Sequence, residues 1–332
     1  MARSTLAFVV LVAACTATVG VVVALAALGH EDPVVAGAAA PAQVRAAIPA
    51  RPYLVFRSLD RRAGAQRFGV LSVTGAADPA RGRRAAGLQC ERVYAAASGG
   101  LCLARGGSLT GAYRALILGA DLRVRGRVAL SGVPSRARVS ADGRYGATTT
   151  FVSGHSYAVA GTFSTRTTLI DMRHGKRIAE LESFRVTNGG KQVDAPDVNF
   201  WGVTFARDSD RFYATLAYGG HTHLIEGSVK ARTATVIHDN VECPSLSPDG
   251  KRIGYKKLVG SKPAVWRFHV LDLATGRETP LAEERPIDDQ LEWLDDANLL
   301  YRSGEEIWTV RADGTGAPRR YLAQADSPAI VR

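Results

Sequence analysis

At 332 residues, with 46% of them apolar, the chain can hold one or two globular domains and is too apolar for a disordered protein. Four cysteines are too few for a disulfide scaffold. The net charge is +11, but the arginines are scattered, with small groups at Arg81–Arg84 and Arg123–Arg127. No recognition helix or stacking platform accompanies them, so the charge reads as a solvated basic surface and not as a nucleic-acid interface.

In chain order, Arg3 precedes an apolar run from Leu6 to about Leu28, which ends before Glu31 and Asp32. Such a run is long enough to cross a hydrocarbon core of ~30 Å as a helix, and longer than a usual signal-peptide core. Residues 1–28 are therefore expected to form a transmembrane anchor or a signal peptide, the anchor being preferred. Arg3 on the short flank puts the N-terminus inside and the bulk of the chain on the extracytoplasmic side of the cell membrane; a secreted protein is the alternative. Val12-Ala13-Ala14-Cys15 is similar to a lipobox, but the apolar residues that follow it argue against lipidation. Residues 29–52, rich in Ala and Pro, lack the large apolar side chains of a core and read as a linker.

From Tyr53 onward the pattern is strand and turn. Ser247-Pro248-Asp249-Gly250-Lys251-Arg252-Ile253-Gly254-Tyr255 reads as a strand end, a tight turn and a new strand. Pro248 cannot sit in a central strand, Asp249 can accept backbone N–H groups two residues on, and Gly250 takes a positive φ without cost. Ser140-Ala141-Asp142-Gly143-Arg144-Tyr145 repeats the stretch closely; Asp208-Ser209-Asp210 and Asp295-Asp296-Ala297 are looser copies. Asp208, Asp249 and Asp295 are 41 and 46 residues apart, the period of propeller blades. The longer interval from Asp142 to Asp208 calls for inserted loops, at Ser153–Thr165 and Thr187–Asp197. A second motif follows each turn: Val270-Leu271-Asp272-Leu273-Ala274-Thr275-Gly276, with counterparts at Leu169-Ile170-Asp171-Met172-Arg173-His174-Gly175 and Val310-Arg311-Ala312-Asp313-Gly314.

With these motifs the chain resembles the TolB-like (WD40-like) family of β-propeller repeats, well over its last two thirds and loosely over residues 53–130. The resemblance implies an all-β, six-bladed propeller over residues 53–332. It also implies a protein-binding role in the cell envelope, although no separate domain precedes the propeller as in bacterial TolB. The strands divide into six blades, but the first, starting at Tyr53, lacks its innermost strand. Ser327-Pro328-Ala329-Ile330-Val331 has the character of an innermost strand without a blade. The C-terminal strand is thus expected to complete the N-terminal blade and close the ring, removing exposed sheet edges.

Candidate site residues are the acids that precede innermost strands: Asp194, Asp197, Glu242, Asp288 and Asp289. Strand starts line one mouth of a propeller channel, where these carboxylates would converge on a cation or a basic partner. Gly154-His155-Ser156-Tyr157-Ala158 is one residue from a nucleophile elbow, but its neighbours read as strands and no α/β sheet follows. His221 and His223 share a strand face without a third ligand at a recognisable spacing. Cys90 and Cys102 flank a hairpin and would pair if their Cβ atoms approach, leaving Cys243 free and buried. Trp201, Trp266, Trp293 and Trp308 sit at strand positions and should pack between blades.

The expected function is that of a membrane-tethered scaffold, a monomer with no cofactor and no catalysis, that binds an envelope protein. The alternatives are a sensor for a sugar or cell-wall fragment, using the two insertions with Tyr157, Phe163 and Phe184, and a lyase or hydrolase in the channel mouth.

Overall fold

The computed structural model describes residues 48–61, 68–106, 112–153, 163–261 and 263–332. The expected anchor over 1–28, most of the linker, and Gly154–Ala158 with its serine and histidine lie outside the described residues. Among those described, no helix is long and apolar enough to cross a membrane.

The turns organise the fold as their chemistry dictates. At the tightest repeat, Lys251 N donates to Asp249 Oδ1 at 3.0 Å, Arg252 N to Ser247 Oγ at 3.0 Å, and Gly250 N to Ser247 O at 2.9 Å. Gly250 has φ +75°. The copy at Ser140 reproduces the set: Arg144 N to Asp142 Oδ1 at 2.9 Å and Tyr145 N to Ser140 Oγ at 3.0 Å. In the looser copy Ser209 accepts the left-handed conformation itself, at φ +62°, while Asp208 caps Asp210 N and Arg211 N.

Six sheets, antiparallel through the four strands of each blade, follow one another around a ring. Blade two is Arg92–Ala96, Gly99–Arg105, Tyr113–Gly119 and Val124–Leu130, from the axis outward. Blade three is Val133–Val139, Tyr145–Ser153, Ser164–Asp171 and Lys176–Glu180. Blade four runs from Asn199–Phe205 to Thr233–Asp239, blade five from Glu242–Leu246 to Glu278–Pro280, and blade six from Glu292–Trp293 to Arg319–Ala323. Each innermost strand lies against the innermost strand of the next blade, all the way round.

Blade one closes the ring as expected. Ala325–Val331 is its innermost strand, antiparallel to Tyr53–Ser58, with Tyr53 opposite Val331 and Val55 opposite Ala329. Ala329, Ile330 and Val331 are buried, so the closing strand fills core on both faces. Ser327 Oγ then ties it to blade two by bonding both Val93 N and Val93 O, at 3.0 and 2.9 Å.

Two details differ from or decide the sequence reading. The second insertion is not a loop: Arg185–Asn188 and Lys191–Gln192 form a hairpin. That hairpin adds to the outer edge of blade four in parallel, with Val186 opposite Ala234. Gly189 and Gly190, at φ +56° and +79°, make the turn, and the buried Val186 anchors it. Cys90 and Cys102 are disulfide-bonded, with Cα atoms 5.4 Å apart, linking blade one to blade two. Cys243 is free and buried, and burial pushes its thiol above the ordinary value.

Trp201 and Trp293 are buried between blades as anticipated, while Trp266 is buried against Glu242 and Lys256 of its own blade. Trp293 Nε1 donates across to Ser245 O of blade five at 2.8 Å. Trp308 is half-buried, packed against the core cluster shared by blades five and six and beneath the Arg285 guanidinium.

Candidate functional site: the channel mouth at the strand starts

Because every innermost strand begins at the same end of the ring, the residues around Arg92, Ser135, Glu242, Asp289 and Asp326 meet at one mouth of the channel. Of the five expected acids, the structure brings Glu242, Asp288 and Asp289 there. Asp194 and Asp197 sit instead on blade four, exposed, behind the inserted hairpin. Asp197 Oδ2 accepts Gly219 N at 2.7 Å and so holds a hairpin turn of that blade.

What the sequence reading missed is the opposite charge. Lys256, fully buried, bonds Asp288 and lies 3.5 Å from Glu242 Oε2. Glu242 Oε1 also accepts Trp266 Nε1 at 2.8 Å, and the lysine nitrogen stands 4.8 Å from the centre of that indole. The cation on which these carboxylates converge is thus a residue of the chain. Burial works against the Lys256 charge, but Cys243, Glu242 and Asp288 together prevail and hold the ammonium above its ordinary value. Burial would likewise raise Asp288, yet Lys256 and Arg136 outweigh it and hold the carboxyl below the usual range.

A second ion pair crosses the channel. Arg138 of blade three bonds Ser245 Oγ of blade five and Leu291 O of blade six, and lies 3.4 Å from Glu292. Both side chains are under a tenth exposed. Burial raises the Glu292 carboxyl, and Arg138 only partly offsets it.

A third cluster gathers Arg57, Arg92 and Asp326. Asp326 Oδ2 is 3.1 Å from Arg57 Nη1 and 3.8 Å from Arg92 Nη1. Arg92 Nε donates to Ser135 O at 2.9 Å, and Arg57 Nε to Cys90 O at 2.6 Å. Burial, then repulsion from Arg136, presses the Arg92 guanidinium below its ordinary value. Asp289 Oδ2 accepts Arg302 N at 2.8 Å beside this cluster. Arg92 and Arg136 stand near inner-strand starts just as the acids do, so strand position was the signal that could have found them.

The histidines make local pairs. His223 Nδ1 is 2.7 Å from Asp239 and its ring stacks on Tyr218, while His221 is exposed. Phe163 packs edge-on against Phe151 and Trp201, and Phe184 against Phe212. Among the described residues no three His, Cys, Asp or Glu side chains gather as a metal site, and no serine or cysteine bonds a histidine ring.

No family model matches the chain, and no curated protein matches it in sequence. Solved structures do. TolB from Acinetobacter baumannii is similar at 15% identity and a TM-score of 0.55, over 85% of this chain and 67% of that one. A chain of a nidogen/laminin complex is similar at 10% identity and a TM-score of 0.55, over 84% of this chain and 97% of that one. A puromycin-hydrolyzing peptidase of Mycobacterium tuberculosis is similar at 14% identity and a TM-score of 0.50, over 83% of this chain. This chain spans only 44% of that peptidase. At such identities the likeness speaks for fold. The chain is a six-bladed β-propeller whose structural neighbours are TolB proteins and other propeller proteins.

Proposed function

We propose that the chain is a binding propeller, tethered by its apolar N-terminal segment on the extracytoplasmic side of the membrane, that holds an envelope protein and performs no chemistry. The observation that supports it is the strand-start mouth. Charged groups from all blades except the fourth meet there, and Glu242, Asp288 and Asp326 are each paired with a cation of the chain. A preformed, charge-patterned rim suits recognition and partner selection. The TolB-like fold adds weight to a protein partner, and the run from Leu6 to Leu28 to the tether.

The test is a crosslinking pull-down of the full-length chain from intact cells. One stoichiometric envelope protein, lost when residues 187–197 or the exposed rim residues Glu305 and Arg105 are replaced, is the expected result. Capture of no protein, with turnover of an ester or peptide library by the purified chain, would overturn the reading in favour of a hydrolase.

A further inference from the structure

The Arg57–Arg92–Asp326 cluster forms the floor of a cleft of about 260 Å³ at the strand-start mouth, walled by blades one, two, three and six. Five arginines line it against three carboxylates, Glu91, Glu305 and Asp326, leaving a surplus of two positive charges. Three of the arginines are poised over rings, the two exposed ones being Arg61, 4.3 Å from the Phe68 centroid that Arg57 shares at 5.2 Å, and Arg105, 5.7 Å from that of Tyr113. The side chains of Arg61 and Arg105 are 69% and 72% exposed, paired with Glu305 at 3.4 Å and Glu91 at 2.9 Å. Exposed pairs of this kind are weak and exchange readily for a better acceptor. Arg302 donates through Nε to Gly304 O at 2.7 Å and makes no ion pair among the described residues.

The floor carries the complementary demand. Asp326 is 1% exposed, and its Oδ1 has no hydrogen-bond partner among the described residues, although Oδ2 is held by Arg57. A buried carboxylate oxygen without a donor is destabilising, and a ligand hydroxyl satisfies it. The arginines want anionic oxygens in fork geometry. A ligand that serves both needs an oxyanion and an O–H on one small frame. The volume sets its size, since each water occupies ~30 Å³ and drug-sized sites begin near ~300 Å³.

We propose that this cleft binds a small hydroxylated oxyanion, a sugar acid, hydroxycarboxylate or hydrogen phosphate. Its anionic oxygens lie on Arg61, Arg105 and Arg302, and its hydroxyl donates to Asp326 Oδ1. The site goes beyond the scaffold reading and does not depend on a protein partner. Asp326 belongs to the closing strand and the arginines to blades one, two and six, so only the closed ring assembles it.

Calorimetric titration of the full-length chain with D-glucuronate, hydrogen phosphate, acetate and glucose tests this. Glucuronate or hydrogen phosphate should bind at one site per chain. Acetate lacks the hydroxyl and glucose the charge, so each should bind at least ~10-fold more weakly. Arg61→Ala with Arg105→Ala should weaken binding by about 10-fold while leaving the melting temperature unchanged, because both side chains are exposed. Asp326→Asn should narrow the gap between glucuronate and acetate. Glucuronate binding alone assigns a sugar-acid site, and phosphate binding alone a phosphate site. No saturable heat with either up to roughly 10 mM, or affinity untouched by the double arginine variant, would overturn the proposal. Acetate binding as tightly as glucuronate would overturn the role of Asp326.

Discussion

Two charge clusters stand at the same channel mouth and are built on opposite plans. Around Lys256 the ammonium is fully buried, two carboxylates surround it, and an indole both covers it and donates to Glu242. Around Asp326 the carboxylate is the buried member at a cleft lining, two arginines share one oxygen, and the other oxygen has no hydrogen-bond partner among the described residues. The first is closed and complete. The second keeps demand on both sides of the charge, surplus arginine on the walls and an unmet acceptor on the floor. A charge in a propeller channel thus identifies a binding place only when its neighbours leave something unsatisfied.

Three experiments test this contrast. The largest effect should come from deleting residues 326–332. That removes Asp326 and the innermost strand of blade one together, strips Ala329, Ile330 and Val331 from the core, and exposes the edge at Tyr53–Ser58. Loss of several buried side chains should lower the melting temperature by about 10 °C or more. A truncated chain that melts with the full-length protein would show that the ring does not need its clasp.

Next, Lys256→Met should leave Glu242 and Asp288 facing each other without their cation. Breaking a buried pair from one side costs about 3–5 kcal/mol, and urea unfolding measures it directly. Glu242→Gln combined with Lys256→Met should recover part of the loss, because the pair then disappears as a unit.

The smallest and most discriminating effect is in pH. Asp288 is held below the ordinary aspartate value of 3.8, so its stabilisation is present above that pH and fades on acidification. The penalty of Asp288→Asn should therefore shrink as pH falls below about 4. Burial raises Asp326 against the pull of Arg92 and Arg57, so its contribution is full below 3.8 and lost as pH rises through its folded value. The penalty of Asp326→Asn should shrink in the other direction, as pH rises. Parallel denaturation curves at acid and neutral pH would decide it, and slopes of the same sign would mean that the two clusters are alike after all.

The fold was legible because its determinants are local. Asp249-Gly250 and Asp142-Gly143 make their turns with their own side chains and neighbours, so their spacing carries the blade period without knowledge of the ring. Even the clasp could be read, from one blade short of a strand and one strand short of a blade. The inserted hairpin was missed because Val186 and Thr187 offer only a brief alternation, and their partner, the outer strand of blade four, comes some fifty residues later. The site was half legible. Glu242, Asp288 and Asp289 follow from strand position, but Lys256 sits inside the second strand of blade five, and Arg138 deep in its own strand reaches blades five and six across the axis. Convergence across a ring is a property of closure, and no window of sequence contains it.

The clasp also bears on how the molecule folds. Apart from the inserted hairpin on blade four, every other neighbouring strand pair within a blade forms between segments close in the chain, while Tyr53 and Val331 are 331 − 53 = 278 residues apart. Loop-closure entropy makes that contact the most expensive to nucleate, although its cost grows only with the logarithm of the span. The ring should therefore shut last during folding and part first under native conditions, with amides of Tyr53–Ser58 and Ala325–Val331 exchanging ahead of those in blades three to five. Any ligand seated on Asp326 would slow that exchange, turning a geometric seam into a measurable lock.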